Sequence, residues 1–394
     1  MNKNNSIARN ITLVFLMTGF SLFASDKRYV KNAALTLQSI YKLYGVENNL
    51  LLRETYPFNA QNKVTYLADS DQASTPNLYA YLWPYSGSLT ATVCLFDATK
   101  KNKYRAMLDN KVIPGLELYC DSSRRPIAYA SYIKTATADR FYDDNIWIGI
   151  DFTDMYMLSK NKKYLAKALV IWDFILSGNN NVLDGGIFWC EQKKESKHAC
   201  SNAPASVYAL KLFEATNDSA FFYKGLELYN WTIKHLQDTT DYLIYDNINR
   251  NGNIDKAKYS YNSGQMINAA ALLFKLTGQM EYLQNAQKIA KSAYNRFFTD
   301  NKNVGEPDKI LKKGDVWFTG VLLRGFIELY EIDKNNTYLK IFKQNLDYAW
   351  LHMRTKDGLF NSDWTGKTTD NSNWLLTQFA MVEMYARMSQ IKIN

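Results

Sequence analysis

Phe96-Asp97-Ala98-Thr99-Lys100-Lys101-Asn102-Lys103-Tyr104 is the stretch that decides the fold. An apolar run ends on an aromatic, a short polar turn follows, and a second aromatic eight positions on opens another apolar run. The same spacing returns in Tyr156 to Tyr164, Phe213 to Phe221, Phe274 to Tyr282 and Tyr330 to Tyr338, with a period of about 56 to 61 residues. The flanking runs have helical periodicity. Ile146, Ile150, Thr153 and Met157 share one face, as do Val207, Leu210, Phe213 and Glu214. Each unit therefore reads as a helical hairpin.

Extended along the chain, the pattern predicts helices over residues 29–44, 86–99, 103–119, 141–159, 162–177, 203–216, 219–236, 262–277, 280–297, 316–332, 337–353 and 371–389. The ten between the first and last form five hairpins. An open solenoid would need polar capping repeats at its ends. The terminal helices instead carry apolar faces, with Ala34, Leu37, Ile40 and Leu43 on one and Leu375, Phe379, Val382 and Tyr385 on the other. They are expected to pair with each other, which makes a sixth hairpin and closes an all-α ring. The turn inside each hairpin is short, whereas the connections between hairpins are long: Tyr119 to Phe141, Gly178 to Asn202, Asp238 to Tyr261 and Phe298 to Asp315. In a ring these long connections gather at one end, and the functional site is expected at that mouth.

Composition narrows the chemistry. Of 394 residues, 47% are hydrophobic and 22% charged, as in an ordinary globular protein, and only 7 prolines and 18 glycines appear, too few turn-makers for an all-β sandwich or propeller. The three histidines, His198, His235 and His352, show no helical pairing of the kind a metal site uses, so no metal is expected. No GxGxxG or GKS/T loop occurs, so no dinucleotide or P-loop cofactor is expected either. Lys3 and Arg9 precede the apolar run Ile11 to Ala24, which is too short to span a bilayer and ends on small residues, as a secretory signal peptide does. Residues 1–25 are therefore read as a signal peptide and 26–394 as a single catalytic domain, secreted or periplasmic, with no lipoprotein cysteine, no membrane span and a monomeric state expected. Setting aside Lys3 and Arg9 lowers the formal net charge from +9 to +7. The remaining lysines are scattered and no basic stripe interleaves with aromatics, so nucleic acid is not an expected partner. Cys190 and Cys200 flank one polar loop and are the more plausible disulfide; Cys94 and Cys120 lie on apolar helix faces, where unpaired thiols are common.

The mouth should be built from the starts of the inner helices. These read Trp83-Pro84-Tyr85, Phe141-Tyr142-Asp143-Asp144-Asn145, Ser201-Asn202-Ala203-Pro204, Tyr259-Ser260-Tyr261-Asn262, Asp315-Val316-Trp317 and Asn371-Ser372-Asn373-Trp374. Aromatic rings for a pyranose face and fixed polar groups for its hydroxyls are what a sugar cleft needs, which makes Trp83, Tyr142, Asn145, Asn202, Trp317 and Trp374 candidate substrate-binding residues. Helix capping is the rival reading of each single Asn, Asp or Ser. Asp143 and Asp144 stand apart. Two adjacent carboxyls at a helix start repel, so one ionises readily while the other keeps its proton to higher pH. Glycoside hydrolysis uses that division of labour.

Phe141-Tyr142-Asp143-Asp144-Asn145-Ile146-Trp147 resembles the signature of glycoside hydrolase family 76, the α-1,6-mannanases, in which Tyr-Asp-Asp-Asn-x-Trp opens an inner helix. Other stretches agree in order: Gly185-Gly186-Ile187-Phe188-Trp189, Ser201-Asn202-Ala203-Pro204-Ala205, Leu243-Ile244-Tyr245-Asp246, Tyr259-Ser260-Tyr261-Asn262-Ser263-Gly264 and Trp317-Phe318-Thr319-Gly320. The resemblance implies an (α/α)6 barrel, a six-hairpin toroid, that cleaves α-1,6-mannosidic bonds with retention and without a cofactor. It implies Asp143 as nucleophile and Asp144 as acid/base, with Asp246, Tyr261 and Asn262 near the sugar, and endo action on α-mannan. The family often carries Gln where this chain has Ser263, so subsite contacts there are not carried over. A transglycosidase, or a binding protein that keeps the cleft without turnover, remains the alternative on the same scaffold. Asn247 to Lys258 resembles part of an EF-hand loop, but Asn247 and Lys258 stand where Asp and Glu should, so it reads as the polar loop carrying Asp246 and not as a calcium site.

Overall fold

The protein is described by a computed structural model covering residues 26–61, 63–68 and 77–393; the expected signal peptide, residues 1–25, lies outside the described residues. The helices in chain order are α1 (Lys27–Leu43), α2 (Leu82–Thr99), α3 (Asn102–Met107), α4 (Ile113–Leu116), α5 (Tyr142–Ser159), α6 (Lys162–Ser177), α7 (Ala199–Thr216), α8 (Ser219–Leu236), α9 (Ser260–Thr277), α10 (Met280–Phe297), α11 (Val316–Asp333), α12 (Thr337–His352) and α13 (Leu375–Met388). Helices α2, α5, α7, α9, α11 and α13 each pack on the next, and α13 packs on α2 to complete the inner ring. The remaining helices lie outside it. The first helix covers the last, with Tyr29 edge-on to Tyr385 at 5.4 Å. The all-α closed ring expected from the repeat is therefore the observed architecture.

The eight-residue aromatic spacing has a local cause. Lys100, Lys160, Asn217, Gly278 and Lys334 end the inner helices in left-handed conformation, with φ between 53° and 70°. The N–H of each bonds back to the carbonyl of the first aromatic of its pair, Phe96, Tyr156, Phe213, Phe274 or Tyr330. The next helix begins two residues later, or three after Lys334, and places the second aromatic in its first turn, over the same seam. Inner helices are buried nearly all round and outer ones on one stripe, as their patterning dictates. Where α9 meets α11 the backbones touch: a Cβ on Gly264 would sit 2.6 Å from Leu322 Cα, and one on Gly325 would sit 2.2 Å from the Gly264 carbonyl.

Short ribbons at the mouth lock the long connections to one another. β1 (Thr55–Tyr56) pairs antiparallel with β9 (Asn373–Trp374), joining the two ends of the chain. β2 (Cys120–Asp121) pairs with β3 (Ala128–Tyr129), and β7 (Phe298–Asp300) with β8 (Lys309–Leu311). β4 (Ser196–His198), β5 (Asn247–Asn249) and β6 (Ile254–Asp255) form a three-stranded sheet that ties the approach to α7 to the approach to α9. The stretch from Asn247 to Lys258 is thus a hairpin, and Lys258 Nζ closes on Asp238 and Asp241.

Helix starts differ from expectation where proline and strand pairing intervene. α2 and α7 each begin four residues early, at Leu82 and Ala199. Pro84 is the third helical residue, where no intrahelical donor is needed, so it does not delay the start. α13 begins four residues late, at Leu375, because Asn373 and Trp374 are extended against β1. The single helix expected over 103–119 breaks into α3, a π turn at Leu108–Val112, α4 and a 3-10 turn at Glu117–Tyr119. Pro114 lacks the donor and crowds the preceding turn, which the wider π turn accommodates. All four cysteines are free, so the expected Cys190–Cys200 bridge is not formed.

Candidate active site at the mouth of the ring

The first turns of the inner helices carry two kinds of side chain. The second helical residue is Trp83, Asp143, Cys200, Tyr261, Trp317 or Leu376; the fourth is Tyr85, Asn145, Asn202, Ser263, Thr319 or Gln378. In four helices the fourth residue holds the preceding connection by its peptide groups. Asn145 accepts from Tyr129 N–H at 2.8 Å and donates to the Tyr129 and Phe141 carbonyls. Asn202 does the same with Ile187 and His198, and Gln378 with Phe360 and Trp374. Ser263 Oγ, in the equivalent place, accepts from Ile244 N–H at 3.4 Å. The Ser263 departure therefore touches loop anchoring. Asn145 and Asn202 are fully buried with their amides engaged by backbone. Asn145→Ala or Asn202→Ala should cost about 2 to 4 kcal/mol in a denaturant melt, since each strands a buried N–H and C=O. A weakened KM with an unchanged melt would contradict this.

Asp143 and Asp144 occupy the first turn of α5, where the helix dipole favours negative charge. Asp143 Oδ2 accepts from Trp189 Nε1 at 3.2 Å and from the Cys200 thiol at 3.2 Å, while its Oδ1 is buried without a partner. Burial raises the Asp143 carboxyl; the thiol, the indole and first-turn N–H groups pull it back down. Burial and the adjacent Asp143 push Asp144 much further up, and among the described residues no group hydrogen-bonds its carboxyl. Both carboxyls are thus raised, Asp143 to about 6 and Asp144 further, so Asp143 ionises first and Asp144 is the proton holder.

Aromatic residues build one wall. Trp83 meets Trp317 at 5.4 Å, Trp374 at 5.3 Å and Tyr66 at 5.1 Å, each nearly perpendicular. Tyr261 stacks on Phe318 at 4.0 Å. Glu54, buried, fixes this wall: Oε1 accepts from Trp374 Nε1 at 2.7 Å and from the Tyr66 hydroxyl, and Oε2 from Tyr81 N–H. Beneath, the Arg324 guanidinium lies under Trp147 and Trp317 and is paired in bidentate fashion with Glu383. Asp246 accepts from Asn262 Nδ2 at 3.4 Å, and the Asn262 carbonyl oxygen is buried without a partner.

The fold thus brings Asp143, Asp144, Trp83, Asp246, Tyr261, Asn262, Trp317 and Trp374 to one mouth. Tyr142 points away from it, stacking on Phe174 of α6 at 4.6 Å. Trp189, Cys200, Tyr66, Glu54 and His198 were not singled out as site residues by sequence. His198 is the residue immediately before α7 and stacks on Trp189 at 4.8 Å. Trp189 lay in a quoted motif; the others carry no pattern of their own.

The family model described as glycosyl hydrolase family 76 matches residues 54–392. A family 76 mannosidase from Bacteroides thetaiotaomicron is 33% identical, with a TM-score of 0.83, over 92% of this chain and 98% of that one. An inactive variant of the α-1,6-mannanase of Salegentibacter sp. HEL1_6, with two consecutive aspartates changed to asparagine and in complex with α-1,6-mannotriose, has a TM-score of 0.73 at 23% identity, over 92% of this chain and 99% of that one. The meiotically up-regulated gene 191 protein of Schizosaccharomyces pombe is 27% identical over 38% of this chain, and the match covers 37% of that relative's length.

Proposed function

Because this chain belongs to glycosyl hydrolase family 76, we propose that it cleaves α-1,6-mannosidic bonds within mannan chains, with retention, using Asp143 and Asp144. The observation that carries the reading is the adjacent pair in the first turn of α5: Asp143, whose Oδ2 accepts from Trp189 and Cys200, beside buried Asp144, which burial and Asp143 push the higher of the two. Asp143 attacks the anomeric carbon as the glycosidic C–O bond breaks, and the leaving oxygen takes the Asp144 proton. Asp144, now ionised, takes a proton from water; the water oxygen bonds the anomeric carbon, and the ester to Asp143 breaks. The protonated Asp144 and free Asp143 are restored. The inactivation of the Salegentibacter enzyme by changes at two consecutive aspartates supports the assignment.

Trp83, Trp317, Trp374 and Tyr261 would supply ring faces, and Asp246 with Asn262 hydroxyl partners. Aromatics on several sides of the mouth suit more than one sugar at once, hence endo action. Residues 1–25 would direct export; no helix among the described residues is long and apolar enough to cross a membrane. Incubation with linear α-1,6-mannan should give an early drop in polymer length and short oligosaccharides, with the α-anomer formed first by NMR. Longer products would mark a transglycosidase, and binding without products a lectin-like protein. First products of mannose alone would overturn endo action, and a β-anomer would overturn retention.

A further inference from the structure

Three successive inner helices, α5, α7 and α9, place Asp143, Cys200 and Tyr261 at the same helical position, the second of the first turn. The three side chains lie side by side at the mouth. The Cys200 thiol donates to Asp143 Oδ2 at 3.2 Å, with Tyr261 beside both on the next inner helix. Trp189 Nε1 donates to the same oxygen at 3.2 Å, its ring held between Phe141 and His198. Both side-chain donors thus converge on Oδ2, while no side chain engages the buried Oδ1. Cys200 is 4% exposed, so it serves neither as a disulfide partner nor as an accessible nucleophile.

Resting on the hydrolase reading above, we propose that Cys200 is a positioning residue: its thiol, donating to Oδ2 together with the Trp189 indole, fixes the Asp143 carboxylate for attack on the anomeric carbon. Burial and the neighbouring Asp143 and Asp246 hold the thiol protonated, so it donates throughout the working pH range. The titratable groups facing Asp143 are Asp144 on its own helix, Cys200 on α7, Tyr261 on α9, and Cys190 in the connection before α7. Asp246 and His198 lie one contact further out, against Cys200 and Trp189.

The test is a carbon-13 NMR titration of the aspartate carboxyls in the free enzyme, with Asp143 assigned by the resonance missing in Asp143→Asn. Losing a donor to the charged form raises a carboxyl, so Cys200→Ala should move the Asp143 midpoint up by about half a pH unit or more. Cys200→Ser, which keeps a donor, should move it less. On mannan, the acidic limb of kcat/KM should shift with the midpoint, and kcat should fall about tenfold with KM changed less than twofold. An unmoved midpoint in Cys200→Ala overturns the proposal, even if the melting temperature falls, because that is a packing effect only. A shifted midpoint in an enzyme that never cleaves mannan would instead sink the hydrolase reading and leave the Cys200 contact standing.

Discussion

Asp143→Asn and Asp144→Asn are each expected to abolish most mannan cleavage while leaving the ring folded, and to do so in distinguishable ways. An amide cannot form the glycosyl ester, so Asp143→Asn should lose about 10⁴-fold or more in kcat/KM on every substrate. Asp144→Asn removes the proton donor, worth about 10² to 10⁴-fold on mannan. An aryl α-mannoside with an acidic leaving group needs little protonation, so its first step should survive in Asp144→Asn and fail in Asp143→Asn. Full activity in either variant would refute the assignment.

The same substitutions carry a stability signature. Burial and Asp143 raise the folded-state Asp144 carboxyl well above its ordinary value. A raised carboxyl costs nothing below the unfolded value of about 3.9; stability is lost as pH climbs from there through the folded value. Asp144→Asn should therefore melt at or above the wild type at pH 7 to 8, by about 1 kcal/mol or more, and the difference should vanish near pH 4. Asp151 and Asp315 are also raised by burial, to about 7 and about 6, but they are present in both proteins and cancel in the difference. A variant that melts lower than wild type at neutral pH would contradict this account of the pair.

Truncation immediately before Thr369 should unfold the protein. It removes α13, whose Leu375, Leu376, Phe379, Met381, Val382, Met384, Tyr385 and Met388 are all buried. At about 1.5 to 3 kcal/mol for each large apolar side chain, the loss exceeds the 5 to 15 kcal/mol by which a domain is stable. It also takes Glu383 from the buried Arg324, leaving an uncompensated charge beneath the aromatic wall. Trp374 leaves with it, so Glu54 loses a donor and β1 its partner. The expected readout is a non-cooperative thermal melt with loss of near-ultraviolet ellipticity. A cooperative transition close to that of the intact chain would mean that the ring does not depend on closure.

Local chemistry was enough to read the ring from the chain. The aromatic spacing is dictated by a left-handed cap such as Lys160 or Asn217 and the helix start beyond it, all within ten residues of sequence. The apolar faces of the first and last helices could find no partner but each other, and Asp143 and Asp144 are adjacent, so their mutual repulsion needs no fold to be seen. Tertiary structure alone decided the rest, because it depends on which long connection meets which helix start. Trp189 and Cys200 reach Asp143 from 46 and 57 residues away, and Glu54 reaches Trp374 across 320. Asn145 and Asn202 have the composition of sugar-binding residues, yet their amides are taken by the peptide groups of Tyr129 and Ile187. A side chain's type states which bonds it is able to make; only the packing of distant segments, which costs chain entropy and is repaid by burial, selects among them.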